Sequence, residues 1–132
     1  MTTYNTIDRK GDRNSCTVIA LSVIANIAFE DAQKILSRAG RKFNKGFNIK
    51  KWVRVAKRYG KLDQAPLWGY RFKQVRTLFK EEPEYLSQNT VIVLTSRHVF
   101  VVKDGNIEDW MTKGRRHEIR DIWTFTPKRK RK

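Results

Sequence analysis

Residues 16–27 are apolar at nearly every position, residues 30–39 are apolar at helical intervals, and from residue 90 onward short runs rich in β-branched and aromatic side chains take over. An apolar surface all round marks a buried central helix, and it begins after Asn14 or Ser15, either of which can act as N-cap. In the second segment Ala32, Ile35, Leu36 and Ala39 share one face, and Gly40 stops the helix. A third helix is expected after the cap residue Asn48, with Ile49, Trp52, Val53, Ala56 and Tyr59 turned inward and Gly60 as its end. Residues 62–76 are ambiguous: Pro66 and Gly69 mark a loop, and 70–75 reads as extended. A short helix over 77–86 is broken near Pro83.

The later runs, 91–94, 98–103, 106–110 and 118–125, read as strands, and Asp104-Gly105 is a two-residue hairpin signal. The expected fold class is α+β, with N-terminal helices packed on a C-terminal antiparallel sheet. There is no internal repeat. At 132 residues the chain forms one core, assigned to 1–126, with 127–132 as a disordered basic tail. A multidomain enzyme is excluded. The apolar run 17–29 is 13 residues long, too short to span a bilayer, and lacks a small-residue cleavage site. The chain is therefore expected to begin at Met1, to avoid the membrane, and to work in the cytoplasm.

Charge changes the picture more than composition does. Lys and Arg number 29 against 13 Asp and Glu, a formal +16, and residues 38–61 hold ten basic residues with no acidic one. Lys50, Arg54, Lys57 and Lys61 recur at helical spacing, with Arg58 beside them, and this surface suits nucleic acid or an acidic protein. A solvated helix face is the plainer account. Four tryptophans add stacking capacity; Trp52 belongs to a core face, and Trp68, in a Pro-Gly loop, is the one suited to a binding surface.

A single cysteine cannot form an internal disulfide, which fits a reducing compartment. Cys16 falls in the first turn of the central helix, where unpaired N–H groups and the helix dipole favour a thiolate. Free cysteine is also a common apolar filler. His98 opens an apolar strand. With a two-residue turn at Asp104-Gly105, Phe100 faces Asp109, so His98 and Asp109 project from one face as diagonal neighbours. A three-residue turn would move Asp109 to the other face. Zinc held by Cys16, His98, Asp109 and His117 lacks any paired-ligand spacing, and no metal or cofactor is expected.

A cysteine at the start of a central helix, followed by further helices and by HVFVVKDGNIEDW, resembles the papain-like cysteine peptidase superfamily. The small single-domain bacteriocin-processing type and compact phage-encoded relatives are most similar. The resemblance implies a papain-like fold, with Cys16 as nucleophile, His98 as general base and Asp109 as the orienting residue. The family's Gln ahead of the cysteine is missing from DRKGDRNSC, and Asn14 is the nearest amide for the oxyanion site. The implied chemistry is acyl transfer on a peptide or protein substrate: hydrolysis, deamidation or isopeptide cleavage. The rival reading is a non-catalytic basic protein that binds nucleic acid or an acidic partner.

Overall fold

The computed structural model describes residues 15–42, 47–96, 98–108 and 117–128. Three helices come first: α1 (Cys16–Ala25), α2 (Phe29–Arg38) and α3 (Ile49–Ala56). Strand β1 (Gly60–Asp63), a 3-10 turn (Ala65–Tyr70), α4 (Val75–Glu81) and α5 (Pro83–Gln88) follow, and then β2 (Thr90–Leu94), β3 (Val99–Lys103), β4 (Asn106–Glu108) and β5 (Asp121–Pro127). The strands form one antiparallel sheet in the order β1-β5-β2-β3-β4. The class is α+β, helices first and sheet after, with two departures from the sequence expectation. A fifth strand, β1, comes from the helical half, and helices lie on both sides of the sheet.

One core joins α1, α2 and α3 to Ile92, Val99, Val101, Trp123 and Phe125; the other joins Leu67, Val75, Leu78 and Leu86 to Val91, Val93, Phe100, Val102 and Ile122. Alternate residues of each strand therefore enter different cores. Both faces are covered, so β2 and β3 read as unbroken apolar runs instead of alternating ones. Helix α1 is buried from Thr17 to Ile24 because α2, α3 and the sheet surround it. It ends at Ala25, two residues before the pattern suggests, through a left-handed cap at Asn26 (φ 54°), after which Ile27 N–H donates to Ser22 O at 3.1 Å.

Asn48 caps α3 as expected: its Oδ1 accepts from the N–H groups of Lys50 (2.9 Å) and Lys51 (3.3 Å). The helix stops at Ala56, not at Gly60, and Val55 is buried along with Trp52 and Ala56. Gly60 instead opens β1, where a Cβ would stand 2.3 Å from Thr126 O and 2.6 Å from the Phe125 ring, a closeness only glycine permits. The 70–75 stretch is a turn leading into α4, and the helix expected over 77–86 is two helices divided at Pro83.

The hairpin is as the sequence reads. Lys103 pairs with Asn106 across Asp104 (φ 53°) and Gly105 (φ 79°), and the register continues through Val102↔Ile107 and Val101↔Glu108. At the other end, β5 extends to Pro127, and the N–H of Lys128 donates to Tyr59 O at 3.0 Å, so the ordered body reaches two residues past 126. Among the described residues no single helix is long and apolar enough to cross a membrane.

Candidate functional site

Cys16 is the first residue of α1, and that end of the helix abuts the tip of the β2–β3 hairpin. The two meet at a cavity of about 510 Å³. Cys16 and Thr17 form its helical side; Thr95, Ser96 and His98 of the hairpin turn form another, with Leu94 and Val99 beneath them. Phe47 and Ile49, leading into α3, and Arg120, leading into β5, complete the lining. The thiol is half-buried against the α1 core.

Among the described residues, no side chain caps the start of α1. Helix geometry leaves the N–H groups of Cys16, Thr17 and Val18 without an intrahelical acceptor, and the first intrahelical bond runs from Ile19 N–H to Ser15 O at 2.9 Å. Ser15 is the N-cap residue, but its side chain makes no capping bond, and no acidic residue lies in the first turn. Ser15 Oγ and Thr17 Oγ1 are buried without a hydrogen-bond partner among the described residues. A buried hydroxyl in this state costs free energy, and that of Thr17 lies just behind the cavity wall. Sequence reading overlooked Thr17, although its place beside Cys16 in the first helical turn was the signal.

His98 is half-buried and held by its backbone: the N–H and Oγ1 of Thr95 both reach His98 O, at 2.8 and 3.2 Å. Since Leu94 pairs with Val99, the next pair outward is Thr95 with His98, closing a two-residue turn. Alternation then puts His98 on the side of Phe100, and their ring centroids are 5.8 Å apart at 30°. Helix α1 covers the other side, that of Val99 and Val101. His98 lines the shared cavity from the end of the sheet, with its ring on the Phe100 side.

The structure brings Cys16 and His98 to one cavity. Asn14 and Asp109 lie outside the described residues, and so does the last part of the expected register, Phe100 with Asp109. Arg120, which the sequence reading did not single out, adds a cation to the wall; its side chain is about half exposed and stands 3.5 Å from Glu118. Among the described residues no group of three or more His, Cys, Asp or Glu is placed to hold a metal ion.

The basic surface is a separate feature. Lys50, Arg54, Lys57, Arg58 and Lys61 are all exposed, and none of them makes an ion pair among the described residues. Only Lys50 and Arg54 lie within α3; Lys57 is its C-cap, Arg58 is in the following turn and Lys61 is in β1, so the helical repeat ends where the helix does. Comparison of the chain with protein-family models, with curated proteins and with solved structures finds no match in any of the three.

Proposed function

We propose that the chain is a small papain-like, cysteine-dependent acyl-transfer enzyme. The observation that carries the reading is that Cys16, at a helix start, and His98, at a hairpin tip, line the same cavity. A helical half carrying the thiol against an antiparallel sheet carrying the histidine is what the papain-like resemblance implies.

In the proposed reaction His98 accepts the thiol proton as Sγ of Cys16 bonds to a substrate carbonyl carbon. The carbonyl oxygen becomes an oxyanion, met by the N–H groups at the α1 start and by the Thr17 hydroxyl. Collapse breaks the bond to the leaving amine, which takes the proton from His98 and leaves an acyl thioester on Cys16. Water then attacks the thioester carbon, gives its proton to His98 and releases the acid, and the thiol re-forms. Asp109 orients the imidazole and Asn14 assists at the oxyanion, as the resemblance implies. The substrate is a peptide or protein, and the reducing cytoplasm, of a phage host by that resemblance, keeps the thiol free.

The test is a burst of p-nitrophenol from an activated acyl ester, combined with iodoacetamide labelling at neutral pH. The native chain should trap one acyl group on Cys16 and label rapidly. Cys16→Ala should lose the burst while keeping its unfolding midpoint, and His98→Ala should slow it by about 100-fold or more. Labelling as slow as that of a buried thiol, or a burst that survives Cys16→Ala, would overturn the reading.

The unpaired basic side chains favour a second activity, attraction of a polyanion along Lys50, Arg54, Lys57, Arg58 and Lys61. Charge reversal at Lys50 and Arg54 should weaken binding to heparin or DNA and flatten its salt dependence. Unchanged binding would remove this activity from the account.

A further inference from the structure

Trp68 and Phe72 are the exposed large hydrophobic residues among the described part of the chain, at 48% and 61% exposure. They stand on one turn with a guanidinium between them: the Arg71 carbon lies 3.5 Å from the centre of the Trp68 ring and 5.2 Å from that of Phe72. Arg71 makes no ion pair among the described residues, and its Nε is buried there without a partner. Beside them the Lys73 ammonium sits 5.3 Å above the Tyr70 ring. Residues 64–80 contain four basic side chains, Arg71, Lys73, Arg76 and Lys80, and no acidic one.

The turn is held firmly. Phe72 N–H donates to Ile119 O at 2.6 Å, Ile119 N–H to Lys73 O at 2.8 Å and Val75 N–H to His117 O at 2.9 Å. Phe72 keeps a left-handed backbone (φ 71°) that residues other than Gly, Asn and Asp adopt rarely, and its ring is held outward in solvent. Carboxylates stand close by: Glu81 and Glu82 accept from the Tyr70 hydroxyl, and Glu118 stands beside Arg120. The residues of the turn itself present aromatic faces and cations.

We infer that Trp68, Arg71 and Phe72 form a stacking platform for single-stranded nucleic acid. Unpaired bases have two free π-faces to lay on Trp68 and Phe72, while Arg71 and Lys73 meet the phosphates. Duplex DNA keeps its bases stacked and offers the platform nothing but charge. The inference is independent of the acyl-transfer reading, and it places base contact on a different element from the basic α3 surface.

The experiment measures fluorescence anisotropy of labelled oligothymidylate and oligouridylate of about 12 nucleotides, and of a duplex of equal length, titrated with the full chain. Single strands should bind more tightly than duplex, and the relative affinity of the two oligonucleotides tells DNA from RNA as the source. Trp68→Ala and Phe72→Ala should each weaken single-strand binding about tenfold with the unfolding midpoint unchanged, and Trp68→Phe should restore most of it. Reversal at Lys50 and Arg54 should weaken duplex and single strand by the same factor. The inference is overturned if the two alanine variants bind single strands like the parent chain, or if they lose duplex affinity equally. A loss confined to binding of polyglutamate would overturn it in favour of an acidic protein.

Discussion

The indole N–H of Trp52 donates a 2.9 Å hydrogen bond to the backbone carbonyl of Thr17, fastening the middle of α3 to the first turn of α1. Trp52 is fully buried, so the bond forms away from water, and the residue it holds is the neighbour of Cys16. The wall of the cavity is thus secured by a side chain 35 positions along the sequence.

Trp52→Phe is expected to retain much of the packing, lose this bond and leave the indole's outer space unfilled. Stability should fall by about 2 kcal/mol, and Trp52→Ala, which empties the site, should cost about 3–5 kcal/mol. Chemical denaturation checks both. Labelling of Cys16 in Trp52→Phe should be faster than in the parent chain, because the first turn of α1 has lost its tie.

Gly60→Ala tests the strand that the sequence concealed. The added methyl group would meet Thr126 O and the Phe125 ring at distances no real Cβ accepts, so β1 must move away from β5. A loss of about 1–3 kcal/mol is expected. Hydrogen exchange should quicken along β1 and along its partners Phe125 and Thr126, while the β2–β3 ladder keeps its protection. Uniform loss across the sheet would mean that the edge and the centre unfold together.

Local signals in the chain were legible and distant ones were not. The Asn48 cap, the break at Pro83 and the Asp104-Gly105 turn each depend on a few adjacent residues, and each is where the pattern puts it. Strand β1 has a single inward-facing apolar side chain, Leu62, and pairs with residues more than sixty positions away, so neither periodicity nor spacing could reveal it. In the site, Cys16 and His98 line one cavity, while Asn14 and Asp109 lie outside the described residues. Which face of the sheet α1 would cover was not readable, because β2 and β3 are apolar on both; α1 takes the side of Val99 and Val101, and His98 belongs to the side of Phe100.

Thr17→Val separates stability from chemistry at the cavity. Replacing a buried hydroxyl that has no partner among the described residues with a methyl group of nearly the same shape should leave stability unchanged or raise it by about 1 kcal/mol. If Thr17 donates to the oxyanion, the same variant should cut the acyl burst about 100-fold while iodoacetamide labelling of Cys16, which forms no oxyanion, stays at the parent rate. A stable variant with an undiminished burst would leave the backbone N–H groups as the donors.

Tyr70 stands in the same turn as Trp68, and pH reads out how its hydroxyl is held. Its hydroxyl lies 2.8 Å from Glu82 Oε2 and 3.1 Å from Glu81 Oε1 and shares one proton between them. Burial of the ring, then donation to Glu82 and Glu81, holds the phenol above the ordinary tyrosine range. A group whose folded pKa is raised lends stability that is fully present below its unfolded value, about 10, and is lost as pH climbs toward the folded value. Tyr70→Phe should therefore cost about 1 kcal/mol, constant from neutral pH to about pH 10, with the difference from the parent chain shrinking above that. Phenolate absorbance offers a direct check: one of the four tyrosines should ionise later than free tyrosine, and that late step should vanish in Tyr70→Phe. Since Lys73 rests on the Tyr70 ring and not on its hydroxyl, oligonucleotide binding at neutral pH should survive this substitution. Loss of binding would show that the hydroxyl's anchorage to α4, and not the ring alone, holds the platform in place.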